Sequence, residues 1–337
     1  MNIIVFQTAF LGDLILSLPF LKKILEKYKP NNLFFVFREE YIELLKYIKL
    51  DISPIALKKQ DNIVLNYLAL KKNIENVIEK VKIDKAFLLQ KHIRVAILAY
   101  LLNISERYGF CYDKLAKLFY TKCIDYEYRQ GVHEIEKYFL MIDEKFTIND
   151  LKYEWFDFSS LKLSLENDYI VFNVDANILT KQWSIENYLK LSIKLLENIP
   201  YLNIYFTGQK DVLKNEVEDF FKDNKKYRNR VKNLIGETTI LEYIYIIKKA
   251  RLLLSGDTSA VHIASLYNTP TIVIYGPTKS DFGFFPLSEK SDIIEKDIAC
   301  RGCRVDGYVK KCKYDFACLK NININEVLNK ILYILEI

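Results

Sequence analysis

An alternation along the chain constrains the fold most: short runs rich in Ile, Val, Phe and Tyr are followed by longer segments whose apolar residues recur at helical spacing. In the first half we predict strands at residues 3–7, 33–37 and 85–89, with helices near 13–27, 62–80 and 92–102. Strand, helix and strand with short connections are typical of a parallel sheet covered by helices. The first half is therefore predicted to be a doubly wound α/β domain.

The same alternation restarts in the second half. We predict strands at residues 169–174, 203–207, 251–255 and 271–275, with helices at 185–197 and 260–266. Residues 149–167 are polar and without clear period, so they are predicted to be a linker. We expect an N-terminal domain over residues 1–155 and a C-terminal domain over 166–337, facing each other across a cleft. Open parallel sheets bind ligands beyond the carboxyl ends of their strands, so the loops that follow the strands should line that cleft.

Composition and charge exclude several classes of protein. The 337 residues include 49 Lys and Arg against 43 Asp and Glu, and these charges are spread evenly along the chain. A nucleic-acid-binding protein concentrates its positive charge, so no nucleic-acid partner is predicted. The longest apolar stretch, residues 95–102, is far shorter than the ~20 residues that span a bilayer. The N-terminus has no secretory pattern, and we expect a cytoplasmic protein.

The first candidate site residue is Asp13. The loop from Gln7 to Asp13 joins a predicted buried strand to a helix, which places Asp13 at the start of that helix. A carboxylate there can cap the helix and contribute ~1 kcal/mol. It can equally serve as a general base for an acceptor hydroxyl, because it lies at the carboxyl end of a strand. Spacing alone leaves both interpretations open.

A loop in the second half can hold a phosphate. Thr180 and Lys181 follow a predicted strand and precede a helix, so Lys181 can neutralise a leaving diphosphate while backbone N–H groups of the helix add donors. The alternative is a solvated surface lysine. Trp183 is predicted to anchor this loop to the core.

Another loop offers small and polar residues at a helix start. Gly256 permits close approach, Asp257 follows it, and Thr258 and Ser259 supply hydroxyls and amides for an anion. His262, one turn into the helix, can face the same ligand or simply pack in the core. Neither loop has a Walker motif or three spaced glycines, which argues against an NTPase or a nicotinamide-dependent dehydrogenase.

Four of the six cysteines cluster as C-x2-C-x8-C-x5-C: Cys300, Cys303, Cys312 and Cys318. This spacing permits a tetrahedral zinc or iron site, and reduced thiols or a disulfide are the alternatives. Cys111 and Cys123 stand apart, so the cysteines do not describe a disulfide framework running through the fold.

Taken together, these motifs resemble the ADP-heptose:lipopolysaccharide heptosyltransferases, glycosyltransferase family nine. The segments that carry the resemblance are QTAFLGDLILSLP (7–19), HEIEKYFLMI (133–142), TKQW (180–183), SGDTSAVHIA (255–264), TPTIVIYGPT (269–278) and CRGC (300–303). They extend over nearly the whole chain, and the QTAFLGD opening is most similar to heptosyltransferase II. The resemblance implies the GT-B glycosyltransferase fold, in which two Rossmann-like α/β domains face across a cleft.

The resemblance also implies a reaction: transfer of heptose from ADP-L-glycero-D-manno-heptose to the lipopolysaccharide inner core, with inversion and without a metal. By matching position, Asp13 is the general base and Lys181 stabilises the ADP leaving group. Asp257 is expected to hold sugar hydroxyls. The other residues expected around the donor diphosphate are Thr180, Thr258, Ser259 and His262.

Two residues depart from the family pattern: Ser259 stands where many relatives have Gly, and Gln7 stands where many have Arg. On the acceptor side, Lys91 and Arg94, with Arg38, are candidates to receive the carboxylates and phosphates of the inner core. A solvated helix face is the alternative for them. Because the acceptor is a glycolipid, we expect peripheral contact with the inner face of the inner membrane.

Two other functions stay open. One is a glycosyltransferase of the same fold with another nucleotide sugar or a protein acceptor; the other is a non-catalytic nucleotide-sugar-binding protein, which needs neither Asp13 nor Lys181. In autotransporter heptosyltransferases a cysteine finger holds iron in an oligomer, although the short middle spacing here departs from that arrangement. Any metal at Cys300, Cys303, Cys312 and Cys318 is expected to be structural.

Overall fold

The computed structural model describes residues 1–58, 61–79, 82–90, 92–111, 114–125, 131–303 and 312–337. The chain divides into two compact units, Met1–Asp157 and Phe158–Ile337. Each unit contains one six-stranded sheet in which all the neighbouring strands are parallel. None of the helices in the described residues combines the length and apolar character needed to cross a bilayer.

The first unit has the strand order β3-β2-β1-β4-β5-β6. Its strands are β1 (Asn2–Phe6), β2 (Asn32–Arg38), β3 (Ser53–Leu57), β4 (Lys85–Leu88), β5 (Glu106–Phe110) and β6 (Lys122–Ile124). Its α-helices are α1 (Leu11–Tyr28), α2 (Ile42–Leu45), α3 (Ile63–Glu75), α4 (Ile93–Leu101) and α5 (Glu134–Leu140), and short 3-10 helices cover Glu39–Tyr41, Ala116–Phe119 and Ile148–Leu151.

Alternating side chains of the first sheet bury two faces. Ile4 and Phe6 of β1 join a cluster with residues of α3 and α4. On the other face, Phe87 of β4 contacts Phe20 of α1 edge-on, with ring centroids 5.6 Å apart. Because strand side chains alternate between faces, a central strand of this kind is apolar along its whole length. Helices therefore cover both faces, as the continuous apolar runs predicted.

The second unit has the order β12-β11-β10-β7-β8-β9. Its strands are β7 (Tyr169–Asn173), β8 (Asn203–Thr207), β9 (Val231–Asn233), β10 (Leu252–Gly256), β11 (Thr271–Ile274) and β12 (Ser291–Ile294). Its α-helices are α6 (Ile185–Asn198), α7 (Asp211–Asp223), α8 (Ile240–Lys249), α9 (Ser259–Tyr267), α10 (Ala317–Lys320) and α11 (Ile324–Leu335), with 3-10 helices at Leu179–Lys181, Lys225–Arg230 and Ser280–Phe282.

Both units share one topology. Counted within each unit, the strand order is 3-2-1-4-5-6, and it reverses between β1 and β4 in the first unit and between β7 and β10 in the second. At such a reversal the loops at the carboxyl ends of the two strands diverge and leave a crevice, which is where open α/β sheets bind ligands. The loops that bear Asp13, Lys181 and Asp257 all follow strands at these reversals.

Part of the predicted linker is folded. Residues 149–157 belong to the first unit, where Leu151 lies in a 3-10 helix and Phe156 forms an isolated antiparallel bridge with Ile48. Trp155 and Phe156 are fully buried. The expectation of a linker over this part of the chain is wrong, because three well-spaced apolar residues are enough to hold an otherwise polar segment on the core.

A disulfide joins Cys111, just after β5, to Cys123 of β6, with the two Cα atoms 5.0 Å apart. The two strands are hydrogen-bonded neighbours, and Gly109 is the register partner of Cys123. This pair could not be predicted from the sequence, because a spacing of twelve residues does not show that two short strands lie side by side.

Candidate functional site

The centre of the candidate site in the second unit is an ion pair. The Lys181 Nζ lies 2.6 Å from Asp257 Oδ2, and the Thr278 hydroxyl donates to the same oxygen at 3.0 Å. The side chains of Lys181 and Asp257 are 16% and 9% exposed. The loops after β7, β10 and β11 therefore converge on one carboxylate, so the structure brings together Lys181 and Asp257, which lie far apart in sequence.

Gly256 makes this convergence possible. A Cβ added at Gly256 would lie 2.7 Å from the backbone carbonyl oxygen of Lys181, closer than real Cβ atoms come to a neighbour. Any side chain at this position would push the Lys181 turn away from β10. The close approach predicted for this glycine is thus to the protein's own backbone, in the turn that carries Lys181 and, beside it, Thr180.

Asn173, the last residue of β7, connects the loops that follow β7 and β10. Its Nδ2 donates to Ser255 Oγ at 3.1 Å and to Thr258 Oγ1 at 3.2 Å, and its Oδ1 accepts from the Tyr243 hydroxyl at 2.8 Å. Thr258 Oγ1 in turn accepts the Ala260 N–H and caps α9. Asn173 therefore holds the start of α9 in place. Sequence reasoning missed it, although an Asn that ends a buried apolar strand was an available signal.

The N-terminus of α9 presents donors beside the ion pair. Ser259 is its first residue and Thr258 its cap, and the first N–H groups of a helix have no partner within the helix. Such a helix start favours anions. The structure therefore places Thr258 and Ser259 next to Asp257, where a diphosphate can be received.

His262 lies in the first turns of α9 and is 5% exposed. Burial lowers its pKa from 6.5 to about 4, while the nearby Asp257 carboxylate opposes this shift and Lys181 adds to it. The imidazole is therefore neutral near pH 7 and can donate one N–H without carrying a charge. It also packs near the Phe284 ring, with centroids 5.9 Å apart. His262 thus packs in the core and lies within electrostatic range of the ion pair.

A second lysine lies at the same sheet edge and was missed in the sequence. Lys210, in the loop after β8, pairs with Asp175 and donates to the Ala176 carbonyl oxygen at 2.7 Å. Asp175 also accepts the Gln209 N–H at 3.0 Å. Gly208 is needed here, because a Cβ would come within 2.8 Å of the Asp175 side chain. These contacts join the loops that follow β7 and β8.

A cavity of about 450 Å³ lies beside Thr180. Its lining includes Thr180, Ser184 and Lys320, with Leu319 and the buried Trp183 as apolar walls. This volume lies in the range of small-molecule sites. The prediction that Trp183 anchors the loop is confirmed, because it is 1% exposed and belongs to the core of the second unit.

In the first unit, Asp13 lies in the first turn of α1. Its Oδ2 accepts the Phe10 N–H at 3.3 Å, so the carboxylate caps the helix as one of the two interpretations predicted. The loop after β1 is held to the loop after β4, the strand on the other side of the order reversal. Gln90 Nε2 donates to Thr8 Oγ1 at 2.5 Å, and Gln90 Oε1 accepts the Thr8 N–H at 2.9 Å. The role of general base stays a prediction.

The acceptor candidates are only partly brought together. The Arg38 guanidinium lies 4.8 Å from the centre of the Phe10 ring, next to the Asp13 loop, and pairs with Glu40 at 2.9 Å. Arg94 lies in the first turn of α4. Lys91 lies outside the described residues. Arg38 is therefore the candidate that the structure places beside the loop that leads to Asp13.

The four clustered cysteines line one cavity of about 10 Å³, and all four are free thiols. Burial raises the pKa of the Cys318 thiol, and the nearby Cys312, Cys300 and Cys303 raise it further. Within the described residues, which include all four, there is no group of three or more His, Cys, Asp or Glu side chains arranged to hold a metal ion. The cysteines as they stand do not fit the predicted metal site.

Known proteins resemble the chain over its whole length. Lipooligosaccharide heptosyltransferase 2 of Campylobacter jejuni serotype O:6 is 23% identical over 347 residues, covering 98% of each chain. The structure of E. coli ADP-heptose LPS heptosyltransferase II has a TM-score of 0.75 and 20% identity, covering 100% of this chain and 99% of that one. An E. coli heptosyltransferase solved with ADP has a TM-score of 0.71 and 16% identity, covering 99% and 100%.

These likenesses confirm the predicted fold class, two Rossmann-like α/β domains of the GT-B type. Asp13 and Lys181 lie in different units, so their meeting across a cleft stays a prediction. The model of glycosyltransferase family 9 (heptosyltransferase) matches residues 70–313, which include the Lys181 and Asp257 loops. The chain belongs to glycosyltransferase family 9, the heptosyltransferases.

Proposed function

We propose that this glycosyltransferase moves heptose from ADP-L-glycero-D-manno-heptose to the inner core of a lipopolysaccharide or lipooligosaccharide, with inversion at the anomeric carbon. The observation that carries the proposal is the Lys181–Asp257 pair beside the N-terminus of α9, at the strand-order reversal of the second unit. A cation and a helix N-terminus suit a diphosphate, and an adjacent carboxylate suits sugar hydroxyls. The relatives named heptosyltransferase 2 support heptose as the sugar.

The predicted C-terminal domain, residues 166–337, which lies within the second unit, is assigned to the donor. In the structure Lys181 Nζ is neutralised by Asp257. An arriving diphosphate carries more negative charge than one carboxylate and competes for Nζ, which frees Asp257 to accept hydrogen bonds from the sugar. Thr180, Thr258 and Ser259 add hydroxyls and N–H groups around the phosphates. Because His262 is neutral, it contributes a hydrogen bond and no charge.

The predicted N-terminal domain, residues 1–155, which lies within the first unit, is assigned to the acceptor. Asp13 takes the proton of the acceptor hydroxyl, whose oxygen then forms a bond to the anomeric carbon. The bond from that carbon to the phosphate oxygen breaks on the opposite side, and ADP leaves with its charge balanced by Lys181. Such a reaction depends on positioning and on charge stabilisation of the leaving group. None of these steps uses the clustered cysteines.

Replacing Asp13 by Asn tests the base. The amide keeps the shape of the side chain and cannot take the proton, so turnover should fall by ~100-fold or more while ADP-heptose binding stays within about twofold. Asp51→Asn, at an exposed position of the same unit, is the matched control and should leave turnover unchanged. Unchanged turnover in Asp13→Asn would show that the base is elsewhere.

A panel of nucleotide sugars tests the donor and the alternative functions. In a thermal-shift assay a ligand at 100 times its Kd stabilises the folded chain by about 2.7 kcal/mol, so ADP-heptose should stand out over ADP-glucose and UDP-sugars. Lys181→Ala should abolish that shift, with the exposed Lys190→Ala as control. A larger shift with a UDP-sugar would favour a different donor. Binding of ADP-heptose without turnover on any inner-core acceptor would favour a non-catalytic binding protein.

The acceptor also gives the proposed location. A lipid-linked inner core is assembled at the cytoplasmic face of the inner membrane, so we assign the enzyme to the cytoplasm with a peripheral contact at that face. The charge of +6 and the presence of exposed basic residues are compatible with an anionic bilayer surface. Fractionation of cells expressing the chain tests this location: recovery in the periplasm would contradict it.

A further inference from the structure

Four large apolar side chains are exposed around the end of α4 in the first unit. Leu115 and Leu118, in and next to a short 3-10 helix, are 63% and 78% exposed. Tyr100 and Leu101, the last residues of α4, are 54% and 45% exposed. Single exposed apolar residues are normal in folded proteins, and it is their concentration on one small area that calls for an explanation.

These side chains belong to one surface because the 3-10 helix packs on α4. The Phe119 ring contacts the Tyr100 ring edge-on, with centroids 5.6 Å apart, and Ala116 is fully buried. Leu115 and Leu118 are three residues apart, a spacing that places side chains on the same side of a 3-10 helix. Ala116 and Phe119 thus hold the segment against the fold, while Leu115 and Leu118 are exposed to solvent.

Positive charge surrounds the apolar side chains. Lys114 and Lys117 alternate with the leucines and are exposed, and neither has a carboxylate within ion-pair distance among the described residues. Residues 92–122 carry five Lys and Arg against two Asp and Glu, a local charge of +3. Leucines interleaved with exposed lysines are typical of segments that lie at the boundary of headgroups and acyl chains in an anionic bilayer.

We propose that the lysine–leucine surface, formed by Tyr100, Leu101, Lys114, Leu115, Lys117 and Leu118, binds a bilayer that contains anionic phospholipid. The leucines and Tyr100 enter the headgroup layer, and the lysines contact lipid phosphates. The choice of a lipid over a protein partner comes from charge complementarity, since the exposed lysines beside the leucines favour an anionic surface and an apolar protein surface supplies no anions. The proposal rests on the proposed function in one respect, because the glycolipid acceptor of that function lies in an anionic bilayer.

Vesicle co-sedimentation of the full chain tests the surface. We expect binding to equimolar phosphatidylcholine and phosphatidylglycerol at least ~10-fold tighter than to phosphatidylcholine alone, and weaker binding as salt is raised. The double variant L115Q/L118Q should lose ~10-fold or more in affinity for the anionic vesicles. Val212→Gln in α7, at a position 67% exposed in the second unit, is the matched apolar control and should bind like the unaltered chain.

Charge is tested separately from apolar contact. K114E/K117E should lower vesicle binding ~10-fold or more, whereas K225E/K226E, which makes the same change in net charge at exposed lysines of the second unit, should have little effect. Equal losses of vesicle binding in the two variants would show that only net charge matters and would overturn the proposal. Vesicle binding by L115Q/L118Q equal to that of the unaltered chain would also overturn it.

Two further measurements separate this proposal from its rivals. L115Q/L118Q should transfer heptose to a delipidated, soluble inner-core acceptor at the rate of the unaltered chain. If neither protein transfers heptose while the unaltered chain binds vesicles and L115Q/L118Q does not, that result counts against the proposed function alone. Light scattering should show that the unaltered chain and L115Q/L118Q have the same oligomeric state. A dimer of the unaltered chain that L115Q/L118Q converts to monomer would mean that a second copy covers this surface, and the lipid proposal would fail.

Discussion

The buried His262 predicts a specific response to acid. Its pKa is lowered from 6.5 to about 4 by burial, so in the folded chain the imidazole stays neutral until the pH approaches 4. In the unfolded chain the same imidazole takes a proton once the pH falls below about 6.5. The stability that depends on this difference is fully present above pH 6.5 and is lost as the pH falls towards 4.

The size of this loss follows from the two pKa values. Between about pH 7.5 and about pH 5.0, the unfolded state becomes almost fully protonated at this site while the folded state is protonated only to about a tenth. The free energy of unfolding should therefore fall by about 2 kcal/mol from His262 alone. Other groups also titrate over this pH interval, but they are the same in a variant that lacks only the His262 imidazole. Their contribution therefore cancels when the variant is compared with its parent.

Urea unfolding of the chain and of His262→Gln at both pH values measures this contribution. With Trp155→Phe as the background, Trp183 is the only tryptophan and its fluorescence reports on the second unit. On acidification, the free energy of unfolding of His262→Gln should fall by about 2 kcal/mol less than that of its parent. Identical losses would refute the reasoning, as would an NMR titration in which the resonance of His262 moves with a midpoint near its ordinary 6.5.

Other predictions follow from single contacts. Gly256→Ala places a methyl group against the Lys181 carbonyl oxygen and should weaken ADP binding ~10-fold in calorimetry; unchanged affinity would contradict the close approach. Asn173→Ala removes the oxygen that accepts from the Tyr243 and Thr207 hydroxyls and should lower the free energy of unfolding by ~1–3 kcal/mol, whereas exposed Asn198→Ala should change it little. Elemental analysis of protein purified without added metal should find no stoichiometric zinc or iron, and one ion per chain would show that the clustered thiols rearrange around a metal.

The central strands of both sheets could be predicted because they are buried on both faces. Ile3–Phe6 and Tyr169–Phe172 are continuous apolar runs that solvent reaches nowhere along the strand. The four edge strands were missed for the opposite reason, and β5 (ERYGF), which lies beside the edge strand β6, was missed because its first two residues are charged. β3 contains Pro54, β9 is only VKN, and each edge strand pairs on one side only, so their sequences carry little apolar pattern.

The candidate site shows a similar division. Asp13, Lys181 and Asp257 could be proposed because each follows a recognisable strand, and residues after neighbouring parallel strands meet at one edge. The ion pair between Lys181 and Asp257 could not be predicted, since it depends on how closely two loops approach. Asn173 was missed because its function in the fold is to join other loops, and a single polar residue at a strand end does not reveal its partners.

The central claim is that heptose leaves ADP and becomes bonded to an inner-core acceptor in this enzyme. The most direct measurement incubates the full chain with ADP-heptose and a heptose-accepting inner-core glycolipid, and follows both ADP release and the mass of the glycolipid. We expect one ADP released for each heptose added, with both signals lost in Asp13→Asn. Heptose addition that persists in Asp13→Asn, or addition only from a different nucleotide sugar, would contradict it.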